Sequence, residues 1–252
     1  MQTLLRVIGV ASGKGGVGKT TTCINLSAAL QSFDEPNIIV DANMNNANLS
    51  VQLGLQYIPV TLHDVLSREI DVFQAIRIHP SGLRIIPGSI SLQSIEVDTS
   101  NLRTMLEQLD QIVFLDFPPG SSKNVYRLMK ACDELIIVTN PEMTAVTDAL
   151  KTIEQAKDVK KVVSGVILNR VKNDDYELST TEVEAMCEIP VIAKIPEDNN
   201  IRKANFHNLP VVFYSPYSRA SIEYLRLAAT LIGKRFVPPK FLTLRRVFEV
   251  FR

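Results

Sequence analysis

A glycine-rich run, Gly13-Lys14-Gly15-Gly16-Val17-Gly18-Lys19-Thr20, stands between an apolar β-branched segment and a helical pattern. Its form is GxxxxGK[ST]. In that context a strand must turn sharply into a helix, and glycines supply the backbone freedom for the turn. The amides of such a turn point inward around phosphate oxygens, and the helix N-terminus adds positive dipole. Lys19 is placed to neutralise β and γ phosphates, Thr20 to offer its hydroxyl to Mg²⁺, and Thr21 to reach an α phosphate. A phosphate cradle is therefore expected from Gly13 through Thr21.

The rest of the chain repeats the same alternation. Runs rich in Val and Ile predict strands at Leu5–Ala11, Asn37–Asp41, Leu83–Pro87, Gln111–Asp116, Glu134–Thr139, Val162–Asn169 and Val191–Ile195. They are apolar almost throughout, as strands covered on both faces should be. Helical patterns lie at Lys19–Gln31, Thr99–Leu109, Ser122–Ala131, Thr144–Lys157, Thr180–Cys187 and Ser218–Lys234. The reading is α/β: a mostly parallel twisted sheet with helices on both faces and ligands at the carboxyl ends of the strands. With 252 residues, 46% hydrophobic and 21% charged, the chain can bury a sizeable core without staples, and its composition excludes disordered and collagen-like classes. No apolar run approaches the length of a spanning helix, and the N-terminus has no signal-peptide pattern. Cys23, Cys132 and Cys187 are widely spaced and form no CxxC, which suits reduced thiols in a cytoplasmic protein. His63, His79 and His207 share no ligand spacing.

Lys14, directly after the first glycine in KGGVGKT, adds a more specific feature. With it the sequence resembles the MinD/ParA group of deviant Walker A ATPases, most of all its MinD branch. The resemblance implies a P-loop NTPase fold, ATP and Mg²⁺ as ligands, and an ATP-dependent homodimer. In such a dimer Lys14 reaches the partner's nucleotide, much as an arginine finger acts in trans. Ile112-Val113-Phe114-Leu115-Asp116 looks like a Walker B strand, with Asp116 holding Mg²⁺ through a water, and Phe117-Pro118-Pro119-Gly120 looks like the second switch. Thr139-Asn140-Pro141-Glu142 resembles the segment after the next strand. Asn169 and Arg170 resemble the adenine-contacting pair, and Pro196-Glu197-Asp198 resembles the loop that closes over the base. NKxD is absent, since the chain reads Asn169-Arg170-Val171-Lys172, which favours ATP over GTP.

The chain departs from this pattern at one position. The group's first switch reads Asp-x-Asp, whereas here Asp41 is followed two residues later by Asn43. Asp41 is expected near Mg²⁺, and Asn43 takes the place beside the attacking water. An amide can orient water but carries no negative charge and is no base. Very slow hydrolysis is expected, by a naturally slow ATPase or through a replacement that traps the ATP state.

Charge is divided unevenly. The segment from Lys234 onward carries six bases and one acid, a net +5, while the preceding residues hold 21 bases and 26 acids, a net −5. At 100° per residue Phe241, Leu244, Val247, Phe248 and Phe251 fall on one arc of roughly 120°. Arg245 and Arg246 lie off that arc. A basic, aromatic terminal helix suits a membrane interface, and it resembles the MinD membrane-targeting helix. The bland alternative is a helix docked on its own core. Expected organisation is an ATPase domain at 1–233, a linker at 234–239 and an amphipathic helix at 240–252. The expected partners are a second copy of the chain, an anionic membrane surface and a protein effector, with the protein cytoplasmic and peripheral on the inner face of the cell membrane. DNA is disfavoured by the acidic body. Rival readings are a ParA-like partitioning ATPase, a metal-centre maturation ATPase and a non-hydrolysing nucleotide-dependent scaffold.

Overall fold

The computed structural model describes residues 5–43, 48–68, 70–89, 98–242 and 245–246. The opening apolar run forms β1 (Arg6–Ala11), and the glycine turn feeds it into α1 (Lys19–Gln31). Ten of the thirteen α1 residues are buried, including Ser27, Ala28 and Ala29, so this helix is enclosed nearly all round rather than amphipathic. β2 (Asn37–Asp41) is buried at every position. Short helices α2 (Asn48–Gln52), α3 (Leu62–Arg68) and α4 (Val72–Ala75) lead to β3 (Arg77–Ile78) and β4 (Arg84–Ile86). The alternation then becomes regular: α5 (Leu102–Glu107), β5 (Ile112–Asp116), α6 (Lys123–Ala131), β6 (Glu134–Thr139) and α7 (Met143–Asp158). It continues through β7 (Val162–Val171), α8 (Thr180–Cys187), β8 (Val191–Pro196), α9 (Asn199–Phe206), α10 (Val211–Tyr214) and α11 (Arg219–Leu231).

Among the described residues the sheet has eight strands in the order β3-β4-β2-β5-β1-β6-β7-β8. Every neighbouring pair is parallel except β3 with β4. Side-chain alternation divides the interior into two cores. Val7, Val113, Leu115, Leu135 and Ile137 face α5, α6, α7 and α8, while Ile8, Val10, Phe114, Ile136 and Val138 face α1, α10 and α11.

All seven expected strands occur. β3, the antiparallel edge strand, was not expected, nor were α2, α3, α4, α9 and α10. The expected helix over Thr99–Leu109 shortens to α5. The expected helix over Ser218–Lys234 begins after its cap, where Ser218 accepts from the Ser221 amide, and it ends before Gly233 at φ 65°. The segment expected as a linker lies against the core: Lys234 Nζ donates to the Phe33 carbonyl at 3.1 Å, and Phe236 packs edge-on to Phe33.

Candidate functional site

β1 sits between β5 and β6, and the turn that follows it opens at the carboxyl ends of these strands. Gly16 and Gly18 hold φ of 79° and 101°. Gly18 caps α1 without a side chain, so no side-chain acceptor covers the first-turn amides. Gly13 lies against α7 so closely that a Cβ would meet the Asp148 carbonyl oxygen at 2.0 Å. Ser12 stitches the turn together, donating from Oγ to the Lys14 carbonyl at 2.7 Å and accepting from Lys19 Nζ at 2.8 Å. Lys19 is only 7% exposed; burial lowers its pKa, and Asp116 opposes that shift. A cation held dry beneath an uncapped helix N-terminus is a site built for an anion.

The acidic side of the site comes from two strands. Asp41 ends β2 and Asp116 ends β5, paired at the same register position. Thr20 Oγ1 donates to Asp116 Oδ2 at 2.6 Å. Asp116 Oδ1 is buried with no hydrogen-bond partner. Asp41 accepts from the Asn43 amide at 3.0 Å and the Leu49 amide at 3.3 Å. Burial pushes the Asp116 carboxyl up to about 6 against the pull of Thr20 and Lys19. Burial, then the Asp116 charge, raises Asp41 well above the usual carboxylate range. Two buried carboxylates with an orphaned oxygen and a threonine hydroxyl make a hard-oxygen donor set suited to Mg²⁺.

A cavity of about 610 Å³ opens over this base. Gly15, Gly16, Gly18, Lys19, Thr20 and Thr21 form one wall, with Asn43 and Arg170 also lining it. Phe117, Pro118 and Pro119 also line it, and Ala42, Leu128, Thr99, Ser122, Asn124 and Asn48 complete the lining. These last four were not singled out in the sequence. Ser122 could have been, because it is a helix cap, accepting from the Val125 amide. Asn43 is 7% exposed, so the residue replacing the second acid is a buried, neutral part of the wall. Backbone hydrogen bonds join the segments around the cavity: Ala42 N donates to Asp116 O at 3.0 Å, and Gly120 N to Ser12 O at 3.2 Å.

Asn169 reaches the turn from β7, donating from Nδ2 to the Val17 carbonyl at 2.7 Å, while its Oδ1 is buried and unpartnered. Arg170, the next-to-last residue of β7, holds φ 59° and lines the cavity. Lys14 points outward and does not line its own cavity; its Nζ lies 3.9 Å from Glu142, with both side chains half-exposed. Pro196, Glu197 and Asp198 do not line the cavity either. Asp198 caps α9 through the Asn200 amide and accepts from the Ala220 amide at 3.2 Å. A contact not foreseen is Gln52, whose amide bridges Thr21 Oγ1 at 3.2 Å and Asn205 Oδ1 at 2.9 Å.

In the tail, Phe241 is 74% exposed. Arg245 lies over the Tyr217 ring and donates to its hydroxyl, and Arg246 Nε donates to the Tyr217 carbonyl. Leu244, Val247, Phe248 and Phe251 lie outside the described residues, as does the segment 44–47 after Asn43. Among the described residues no helix is long and apolar enough to cross a membrane.

Residues 8–211 match the profile of the CobQ/CobB/MinD/ParA nucleotide binding domain. An uncharacterized ATP-binding protein of Methanocaldococcus jannaschii is 38% identical over 241 residues, covering 94% of this chain and 91% of its own. The septum site-determining protein MinD of Synechocystis is 31% identical over 242 residues, 91% of this chain and 90% of its own. The structure of MinD from Pyrococcus horikoshii complexed with Mg-ADP superimposes with a TM-score of 0.84 at 32% identity, covering 90% of this chain and 96% of that one.

Proposed function

Because the chain belongs to the CobQ/CobB/MinD/ParA nucleotide binding domain family, we propose that it is a MinD-type ATPase. It binds ATP with Mg²⁺ and hydrolyses ATP slowly to ADP and phosphate. The observation that carries this reading is the set of buried Lys19 and Asp116, joined by half-buried Thr20, beneath the uncapped start of α1. Lys19 faces the β and γ phosphates, and the amides from Gly15 to Thr21 surround their oxygens. Thr20, Asp116 and Asp41 would hold Mg²⁺, whose chemistry is to neutralise charge on the phosphate oxygens. Asn169 and Arg170 form the base-binding end, with Pro196, Glu197 and Asp198 as the covering loop. Asn43 orients the water whose oxygen forms the new bond to phosphorus as the bond to the β–γ bridging oxygen breaks. Because Asn43 takes no proton, water attack is poorly assisted and turnover is slow.

The outward position of Lys14 supports a homodimer in which this lysine serves the partner's nucleotide. The dimer presents two basic tails, which bind an anionic membrane far better together than one does alone. On this reading the protein is cytoplasmic, docks reversibly on the inner face of the cell membrane and positions a protein effector there. Calorimetric titration of ATP in the presence of Mg²⁺ tests the assignment. Lys19→Ala should abolish the binding seen for the wild type; equal affinity would refute it.

A further inference from the structure

A second cavity, of about 340 Å³, lies where β8 meets α11 and the first turn of the tail. Lys194, Arg219, Arg226 and Arg246 line it together with one acid, Glu223. Arg226 Nη1 pairs with that acid, donating to both of its carboxylate oxygens at 2.7 and 2.8 Å. Among the described residues Lys194, Arg219 and Arg246 form no ion pair, so three positive charges surround one concavity without compensation. This occurs on a body with a net charge of −5. A concave wall of one sign concentrates counter-ions and favours an anion of matching shape.

The tail completes the site. Arg246 is fixed by its Nε bond to the Tyr217 carbonyl at 2.7 Å, which leaves its Nη groups for a ligand. Arg245, 5.0 Å over the Tyr217 ring, holds the same turn in place. Guanidinium groups pair with phosphate oxygens in a two-pronged fork, and lysine adds a point charge. Val171, Pro196 and Ile222 give the cavity an apolar side.

We propose that this cavity binds the phosphate of an anionic phospholipid headgroup, so that the β8–α11 edge of the core meets the membrane together with the tail. The proposal rests on the membrane-docking reading above. Its argument for a lipid is position: Arg246 belongs to the segment whose sequence continues into Phe248 and Phe251. A headgroup held here lies at the entry to that segment, one turn after the exposed Phe241, whose carbonyl accepts from the Arg245 amide.

The test uses the full chain with Mg²⁺ and a non-hydrolysable ATP analogue, sedimented with phosphatidylcholine vesicles with and without phosphatidylglycerol. Lys194→Gln/Arg219→Gln should weaken binding to the anionic vesicles by about 25-fold, at roughly fivefold for each of the two charges. Affinity for the ATP analogue should not change. Lys151→Gln/Lys160→Gln, which removes two exposed charges elsewhere, should weaken vesicle binding much less. Undiminished vesicle binding by the first pair overturns the proposal, as does an equal loss in both pairs. A fall in nucleotide affinity assigns the cavity to the nucleotide and also overturns it. If the wild type binds no vesicle, the tail reading fails, and a thermal-shift titration with glycerol phosphate decides the cavity separately. Saturable binding lost in Lys194→Gln/Arg219→Gln then marks a site for soluble phosphate esters and overturns the lipid assignment; no binding overturns the site itself.

Discussion

The amide nitrogen of Asn169 occupies the space that a side chain on Gly18 would need: a Cβ there would lie 2.2 Å from Nδ2. The same nitrogen holds the Val17 carbonyl, so the end of β7 braces the turn that cradles phosphate. Gly18→Ala should weaken nucleotide binding at least about tenfold, because it adds both this clash and the strain of φ 101°. Asn169→Ala alone should also weaken binding, since it removes the bond to the Val17 carbonyl, and the double variant should lose less than the sum of the two because the clash is gone. Calorimetry on the two single variants and the double checks this, and losses that simply add would remove the clash as a cause.

The buried carboxylates predict a pH effect of definite sign. Burial raises Asp116 from the ordinary 3.8 to about 6. A carboxyl raised in the folded state stabilises fully below its ordinary value, and that contribution is lost as pH rises through the folded value. Without nucleotide, the Tm of the wild type should therefore fall relative to Asp116→Asn between about pH 4 and pH 6. Mg²⁺ with nucleotide should reverse the loss. A constant Tm difference across that range would remove the case for a perturbed Asp116.

Turnover should depend on Asn43. Asn43→Asp places a negative charge in the cavity wall, where the proposed mechanism has the attacking water, and phosphate release at saturating ATP and Mg²⁺ should rise by roughly tenfold or more. Equal rates would show that the amide suffices or that another group holds the water.

Lys14→Ala should leave ATP affinity largely intact while weakening the ATP-dependent dimer, because this side chain faces away from its own cavity. Light scattering with a non-hydrolysable analogue reads the dimer directly. Loss of monomer affinity with the dimer preserved would place Lys14 in its own chain's site.

Removal of residues 240–252 should abolish sedimentation with anionic vesicles without lowering ATP affinity, since the tail's described contacts are with Tyr217 rather than the nucleotide cavity. Sedimentation that persists would locate the anchor elsewhere.

The central strands were legible because each is an apolar run buried on both faces, as in β2 and β5. Their ends carried the site: Asp41, Asp116 and the glycine turn follow directly from strand to loop. What escaped was short or non-local. α4 and α10 have four residues each, less than is needed to display a helical period, and β3 is a two-residue edge. Asn48, Thr99 and Asn124 reach the cavity only through tertiary folding. Asp198 illustrates the converse: a residue matched by motif to the base-covering loop also has an ordinary capping role, which the motif alone did not reveal.

The Ala42–Asp116 and Gly120–Ser12 backbone bonds have a consequence for signalling. They tie the segment after β2, the segment after β5 and the phosphate turn into one mechanical unit. The end of β5 is the middle link: the segment after β2 reaches it through one bond and the phosphate turn through the other, so the two outer segments are coupled through β5. On the proposed reading, an effector seated at the rim near Pro119 would hold the one link that both outer segments share.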